Sequence, residues 1–182
     1  MQTGIEIDDD TAEVLRLSGA SADRVLKDGV RLAKPLSPHL SAMLAASPIS
    51  VAGLIDVASR QSETDRWIVE GAGGVLVPLN ERELMIDLMT VLGLPVVVVA
   101  RSGLGTINHT LLTVEALRAR ALSVVGVVMV GPVNTDNRIA IETLGRVTVV
   151  GELPTLEPLT PASLQAGAES LAHGGELDPF LL

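Results

Sequence analysis

The chain has 182 residues, enough for one domain with a sizeable core, and no cysteine, which excludes thiol catalysis, thiolate metal sites and disulfides. A formal net charge of −9 and an aromatic content of 1% oppose a nucleic-acid partner, because backbone phosphates call for clustered Lys and Arg and single strands for aromatic platforms. Mean hydropathy is +0.44, yet the longest apolar run, "LGLPVVVVA" at 92–100, falls far short of the roughly 18 residues that span a bilayer, so no membrane partner is expected.

The opening "MQTGIEIDDD" is polar and acidic, unlike a signal peptide, and points to the cytoplasm. "DDDTAEVLRLSG" (8–19) predicts a helix from Asp10 to Gly19. "AKPLSPHLSAML" (33–44) predicts a loop leading into a helix, and "VAGLIDVASRQS" (51–62) another helix. From residue 66 strand and helix patterns alternate. "RWIVE" (66–70), "PVVVVA" (95–100), "SVVGVVMV" (123–130) and "VTVVGEL" (147–153) read as buried strands, the four valines as buried on both faces. "RELMIDLMTVLG" (82–93) reads as a helix stopped by Gly93. "TINHTLLTVEALRARAL" (106–122) is the clearest helix, with Thr106 as candidate N-cap and Leu111, Val114, Leu117 and Leu122 as its buried stripe. "NTDNRIAIETLG" (134–145) predicts one more, and the tail from about 167 reads as loosely held. This alternation implies an α/β domain whose mostly parallel sheet is covered by helices, with ligands at the carboxyl ends of the strands.

Asp10 and Glu70 are the carboxylates to pair. Two oxygen ligands completed by water and substrate phosphates suit Mg²⁺, which rarely takes an all-protein cage. Gly71, Gly73 and Gly74 would let a ligand approach the backbone. The competing reading is structural: acids at the positive end of a helix, and glycines that only turn the chain. "GLGTINHT" (103–110) opens a helix with small residues and suits either an anion or ordinary capping. "SPH" (37–39) could hold a polar ligand or turn the chain, and "GELPTL" (151–156) lies at the expected ligand edge.

In this order, "QTG" (2–4), "DDDTAEVLRL", "PLSPHLSA", "VEGAGGVLVPL", "LPVVVVARSGLGTINHTLLTVEAL" and "GELP" resemble the dethiobiotin synthases over residues 1–160. The resemblance implies a three-layer P-loop NTPase-like fold, a homodimer, and the use of ATP and Mg²⁺ to join CO₂ to 7,8-diaminopelargonate. It implies Asp10 and Glu70 as magnesium ligands and Thr3 as a substrate-binding hydroxyl. Glu70, Gly71, Ala72 and Gly73 match one nucleotide-contacting stretch, and Pro154, Thr155 and Leu156 another. Gly103, Leu104, Gly105, Thr106 and Asn108 match the loop that meets the substrate carboxylate at the dimer interface.

Two departures stand against it. The 182 residues contain no G-x-x-x-x-G-K-[ST], and the family's catalytic Lys-Pro falls just before the residue matched by Met1; Lys34-Pro35 is not that pair. The expectation is therefore a chain lacking the family's first strand and P-loop, about 40 residues, and inactive as written, through a late start, a split enzyme, or a non-catalytic dimerisation or substrate-binding remnant. The missing strand is interior, so two exposed sheet edges are expected. Separately, Val130 and Gly131 stand where the family often has Asn-Asp to read the base, which puts adenine selectivity in question.

Overall fold

A computed structural model describes residues 2–5, 10–25, 29–60 and 67–172. It divides at Gly93 into two compact units, Met1–Gly93 and Leu94–Leu182.

In the first unit, β1 (Gln2–Thr3) and β2 (Arg31–Leu32) form a short parallel pair with Gln2 opposite Arg31 and Thr3 opposite Leu32. Two-residue strands carry no periodicity, so neither was legible in the sequence. α1 (Asp10–Ser18) lies between them, buries no residue, and ends at Gly19 with φ +66°; Asp8 and Asp9 of the predicted helix fall outside the described residues. A 3₁₀ turn (Ala22–Arg24) follows. α2 (Pro38–Leu44), α3 (Val51–Ser59) and α4 (Met85–Leu92) supply the bulk. Their core is Leu32, Ala42, Ile49, Val51, Leu79, Met85 and Leu88.

Local chemistry sets these helix starts. The Ser50 hydroxyl accepts from the Gly53 amide at 3.1 Å and caps α3. The Glu83 carboxylate accepts from the Val51 amide at 3.0 Å and from Asn80 Nδ2, while Asn80 also donates to the Ile49 carbonyl. One Asn–Glu pair thus joins the loop before α4 to the start of α3. α4 begins later than its pattern suggested, because Leu84 is its N-cap and Asp87 Oδ2 accepts the Leu84 amide at 2.8 Å. Gly93 ends it in the left-handed region, as expected.

The second unit is a three-stranded parallel sheet in the order β3 (Val96–Arg101), β4 (Val124–Val130), β5 (Val149–Leu153), with Val98 opposite Val127 and Met129 opposite Glu152. α5 (Thr106–Ala119) packs on β3 and β4, α6 (Thr135–Gly145) on α5 and β5, and α7 (Pro161–Ala172) on β5. Right-handed β-α-β crossovers are the general rule for such parallel neighbours. Val114, Leu117, Leu122, Val127, Met129, Ile141 and Val149 form the apolar interior.

Four expectations are corrected. Residues 67–70 form no strand: Trp67, Ile68 and Val69 are exposed, Ile68 at 92%, and residue 66 lies outside the described residues. A β pattern becomes a strand only where a neighbour completes its ladder. Among the described residues β3 is buried on one face only, with Val97 at 41% and Val99 at 70% exposure, because it pairs there with β4 alone and α5 covers one side. Thr106 is not the N-cap of α5; Gly105 is, at φ +90°. Finally, 167–172 is not loose but helical, with Leu171 packed on Gly151 and Leu153 on Gly167; 173–182 lie outside the described residues.

Candidate active site

The first unit carries two adjoining cavities of about 390 and 380 Å³. Both are lined by Thr3, Asp10, Ala72 and Gly73. The second adds Glu70 and Gly71, with Gln2, Thr11 and Arg31 around them. The first adds Gly4, Val77 and the turn Pro35–Pro38. The structure thus brings together six residues predicted from sequence: Thr3, Asp10, Glu70, Gly71, Ala72 and Gly73.

Each reaches the cavity for a local reason. Thr3 ends β1 and lines both cavities from there. Asp10 begins α1, where an acid is favoured by the helix dipole. Glu70 precedes a backbone that must turn tightly. At Gly73 φ is +82°, and a Cβ would lie 2.9 Å from Val77 Cγ2; at Gly71 a Cβ would meet Met85 Sδ at 3.1 Å. The turn is held by Val77 N donating to Gly74 O, and by Met85 N and Ile86 N donating to Val77 O and Val75 O. Gly74 has open space around it and needs no glycine for packing.

Asp10 and Glu70 are exposed and neither makes a hydrogen bond or ion pair among the described residues. Among the described residues no group of three or more His, Asp or Glu gathers there to form a cage. Two available carboxylates on one cavity are the donor set that Mg²⁺ accepts, with water and phosphate oxygens completing its octahedron. The residues therefore fit that ion.

The other predicted residues belong to the second unit, at the carboxyl ends of β3 and β5. Leu104 is fully exposed, and Gly103, Gly105 and Asn108 are exposed beside it. Thr106 differs: it is 5% exposed, its hydroxyl lies 3.4 Å from that of Thr110, and its amide donates to Gly103 O. A ligand here would meet the backbone start of α5 and Asn108, not the Thr106 hydroxyl. Pro154 and Thr155 are exposed after β5, and Leu156 packs toward Gly167. Just before them, Arg138 donates to Glu152 Oε2 at 3.0 Å. This hydrogen bond raises the arginine pKa against the desolvation that lowers it. Glu152 Oε1 is buried without a partner among the described residues.

The base-reading departure has a geometric counterpart. Gly131 has φ +128°, and a Cβ there would lie 2.5 Å from Ser102 Oγ. A side chain at 131 would require the Ser102 hydroxyl to move, and the glycine itself offers none to a base.

Missed by sequence reasoning were Gln2, Thr11 and Arg31, which sit on or beside two-residue strands. The pattern "SPH" leaves a polar-ligand role and a turn both open; in the structure Ser37 precedes a proline-led helix and its hydroxyl has no bond among the described residues.

Strand–helix units with parallel pairing, and a small-residue turn following a carboxylate beside a cavity, define an α/β nucleotide-binding class. Consistent with this, residues 1–163 match the family described as an AAA domain. The chain is also 44% identical over 182 residues, its whole length and 82% of the other protein, to the ATP-dependent dethiobiotin synthetase BioD of Nitrobacter hamburgensis. It is 44% identical over 167 residues to that of Rhodopseudomonas palustris, 92% of this chain and 77% of the other. It is 41% identical over 180 residues to that of Brucella ovis, 99% of this chain and 82% of the other. The chain belongs to the ATP-dependent dethiobiotin synthetase family. Among the described residues no helix is long and apolar enough to cross a membrane.

Proposed function

We propose that the chain serves the ATP- and Mg²⁺-dependent carboxylation and ring closure of 7,8-diaminopelargonate with CO₂ to give dethiobiotin, in the cytoplasm and as a homodimer. The observation that carries this reading is the placement of Asp10 and Glu70, from distant parts of the sequence, on one cavity with Thr3 and the Gly71–Gly73 turn. Asp10 and Glu70 would hold Mg²⁺, which supplies charge neutralisation to a transferring phosphoryl group. Thr3 orients a substrate amine, and the backbone from Gly71 to Gly73 gives close access to phosphate oxygens. In the overall reaction one amine adds to CO₂ to form a carbamate, ATP phosphorylates the carbamate oxygen, and the second amine closes the ring, releasing phosphate. Gly103–Asn108 receives the substrate carboxylate, and Pro154–Leu156 borders the nucleotide. With no G-x-x-x-x-G-K-[ST] in the 182 residues, phosphate cradling and the lysine charge must be supplied from outside them.

Mass-spectrometric detection of dethiobiotin after incubation with ATP, Mg²⁺, bicarbonate and diaminopelargonate tests this. The 182-residue chain is expected to yield none. A chimera carrying the P-loop segment and Lys-Pro of a relative ahead of Met1 is expected to yield it. A chimera that folds and still makes no product would sink the reading.

A further inference from the structure

The chain leaves β3 through a residue whose backbone is held on both sides. Ser102 is 4% exposed, and its amide donates to Val130 O at 3.0 Å, which extends the pairing of β3 with β4. Its carbonyl accepts from Asn137 Nδ2 of α6 at 2.8 Å. Asn137 is itself fixed. Its amide donates to Oδ1 of the capping Asn134 at 3.0 Å, and the next residue, Arg138, donates to Glu152 Oε2 at 3.0 Å. The bare Gly131 leaves room for this arrangement, since a Cβ there would lie 2.5 Å from Ser102 Oγ.

Beyond Ser102 that support ends. Gly103, Leu104 and Gly105 are exposed, and their amides have no hydrogen bond among the described residues. A peptide unit is planar and trans, so its C=O and N–H point in opposite directions. The bond from Asn137 to Ser102 O therefore also sets the direction of the Gly103 N–H, the first of these free donors. Among the described residues no other side chain bonds the backbone of 102–105. We infer that Asn137 is a positioning residue for this loop: by holding the Ser102 carbonyl it turns the Gly103 N–H toward the substrate carboxylate. The inference rests on the function proposed above, in which Gly103–Asn108 receives that carboxylate, and it names the side chain that pre-organises the loop. α6 keeps its Asn134 cap and its Arg138–Glu152 pair without Asn137, so the bond can be removed without releasing the helix.

Calorimetric titration of the 182-residue chain with two ligands tests the assignment. One is 7,8-diaminopelargonate; the other is 2,3-diaminononane, the same diamine with a methyl group in place of the carboxylate. Asn137→Ala is expected to bind the diamino acid about three- to tenfold more weakly, the worth of one hydrogen bond, and the diaminononane as tightly as wild type. Asn137→Asp, which keeps the shape but offers no donor, is expected to show the same selective loss. An equal loss for both ligands overturns the inference by showing a general structural role. Unchanged affinity for the diamino acid in either variant overturns it while leaving the carboxylate site intact. A wild-type chain that binds both ligands equally, or neither, overturns it together with the carboxylate site.

Discussion

Glu70 is the residue on which the site turns, because it sets a second carboxylate, beside Asp10, on the wall that Gly71, Ala72 and Gly73 continue. Its carboxylate is exposed and has no partner among the described residues, so its replacement removes a proposed ligand without stranding a buried group. Glu70→Gln keeps shape and loses charge. It should weaken divalent-ion binding about tenfold or more, since one of the two proposed anionic ligands is gone. Titration with Mn²⁺ followed by water-proton relaxation measures this, and unchanged Mn²⁺ affinity would remove Glu70 from the metal site. Gly73 shows the other kind of residue-level constraint. Positive φ and the 2.9 Å approach of Val77 both forbid a side chain there. The sequence showed the acid and the glycines, but not that Gly71 and Gly73 are demanded by geometry while Gly74 is not.

At the scale of elements, long periodic segments were legible. α4, α5, α6, β4 and β5 lie within a few residues of their patterns, because an amphipathic stripe or apolar run is read directly from composition. Segments whose state depends on a neighbour were not. Residues 67–70 have strand chemistry but no ladder partner among the described residues, and β1 and β2 exist only because they meet each other. The sheet of the second unit has its own tight point. A Cβ at Gly126 would lie 2.4 Å from Val150 Cγ1 and 3.0 Å from the Thr148 carbonyl oxygen. Strand β4 therefore needs glycine for the close approach of β5. Gly126→Ala is expected to destabilise the fold by about 1–3 kcal/mol through overpacking. A urea unfolding midpoint equal to that of wild type would show that β5 yields without cost.

For the molecule as a whole, charge and exposed apolar surface act against each other. Val97 and Val99 are exposed on β3, a strand paired on one edge only among the described residues, and such an edge is a template for self-pairing. A net charge of −9 at neutral pH opposes that association. As pH falls toward the isoelectric point near 4.7, carboxylates gain protons and the repulsion fades. Light scattering should therefore rise between pH 7 and 5 in the wild-type chain and rise less in Val99→Lys, which puts a charge on the exposed face. Equal scattering by the two proteins would show that self-association runs through another surface. The sequence alone determined the α/β class, the absence of thiol chemistry, the family, and the pairing of Asp10 with Glu70 as candidate ligands. These follow from residue type and spacing, which the chain carries locally. Only the tertiary structure decided that Thr3, Asp10, Glu70 and Gly73 share a cavity, that Ser37 lines the adjoining one with no hydroxyl bond among the described residues, and that the Thr106 hydroxyl is buried beside Thr110. Those outcomes depend on which distant segments meet and on which polar groups already have partners, and no local pattern encodes either.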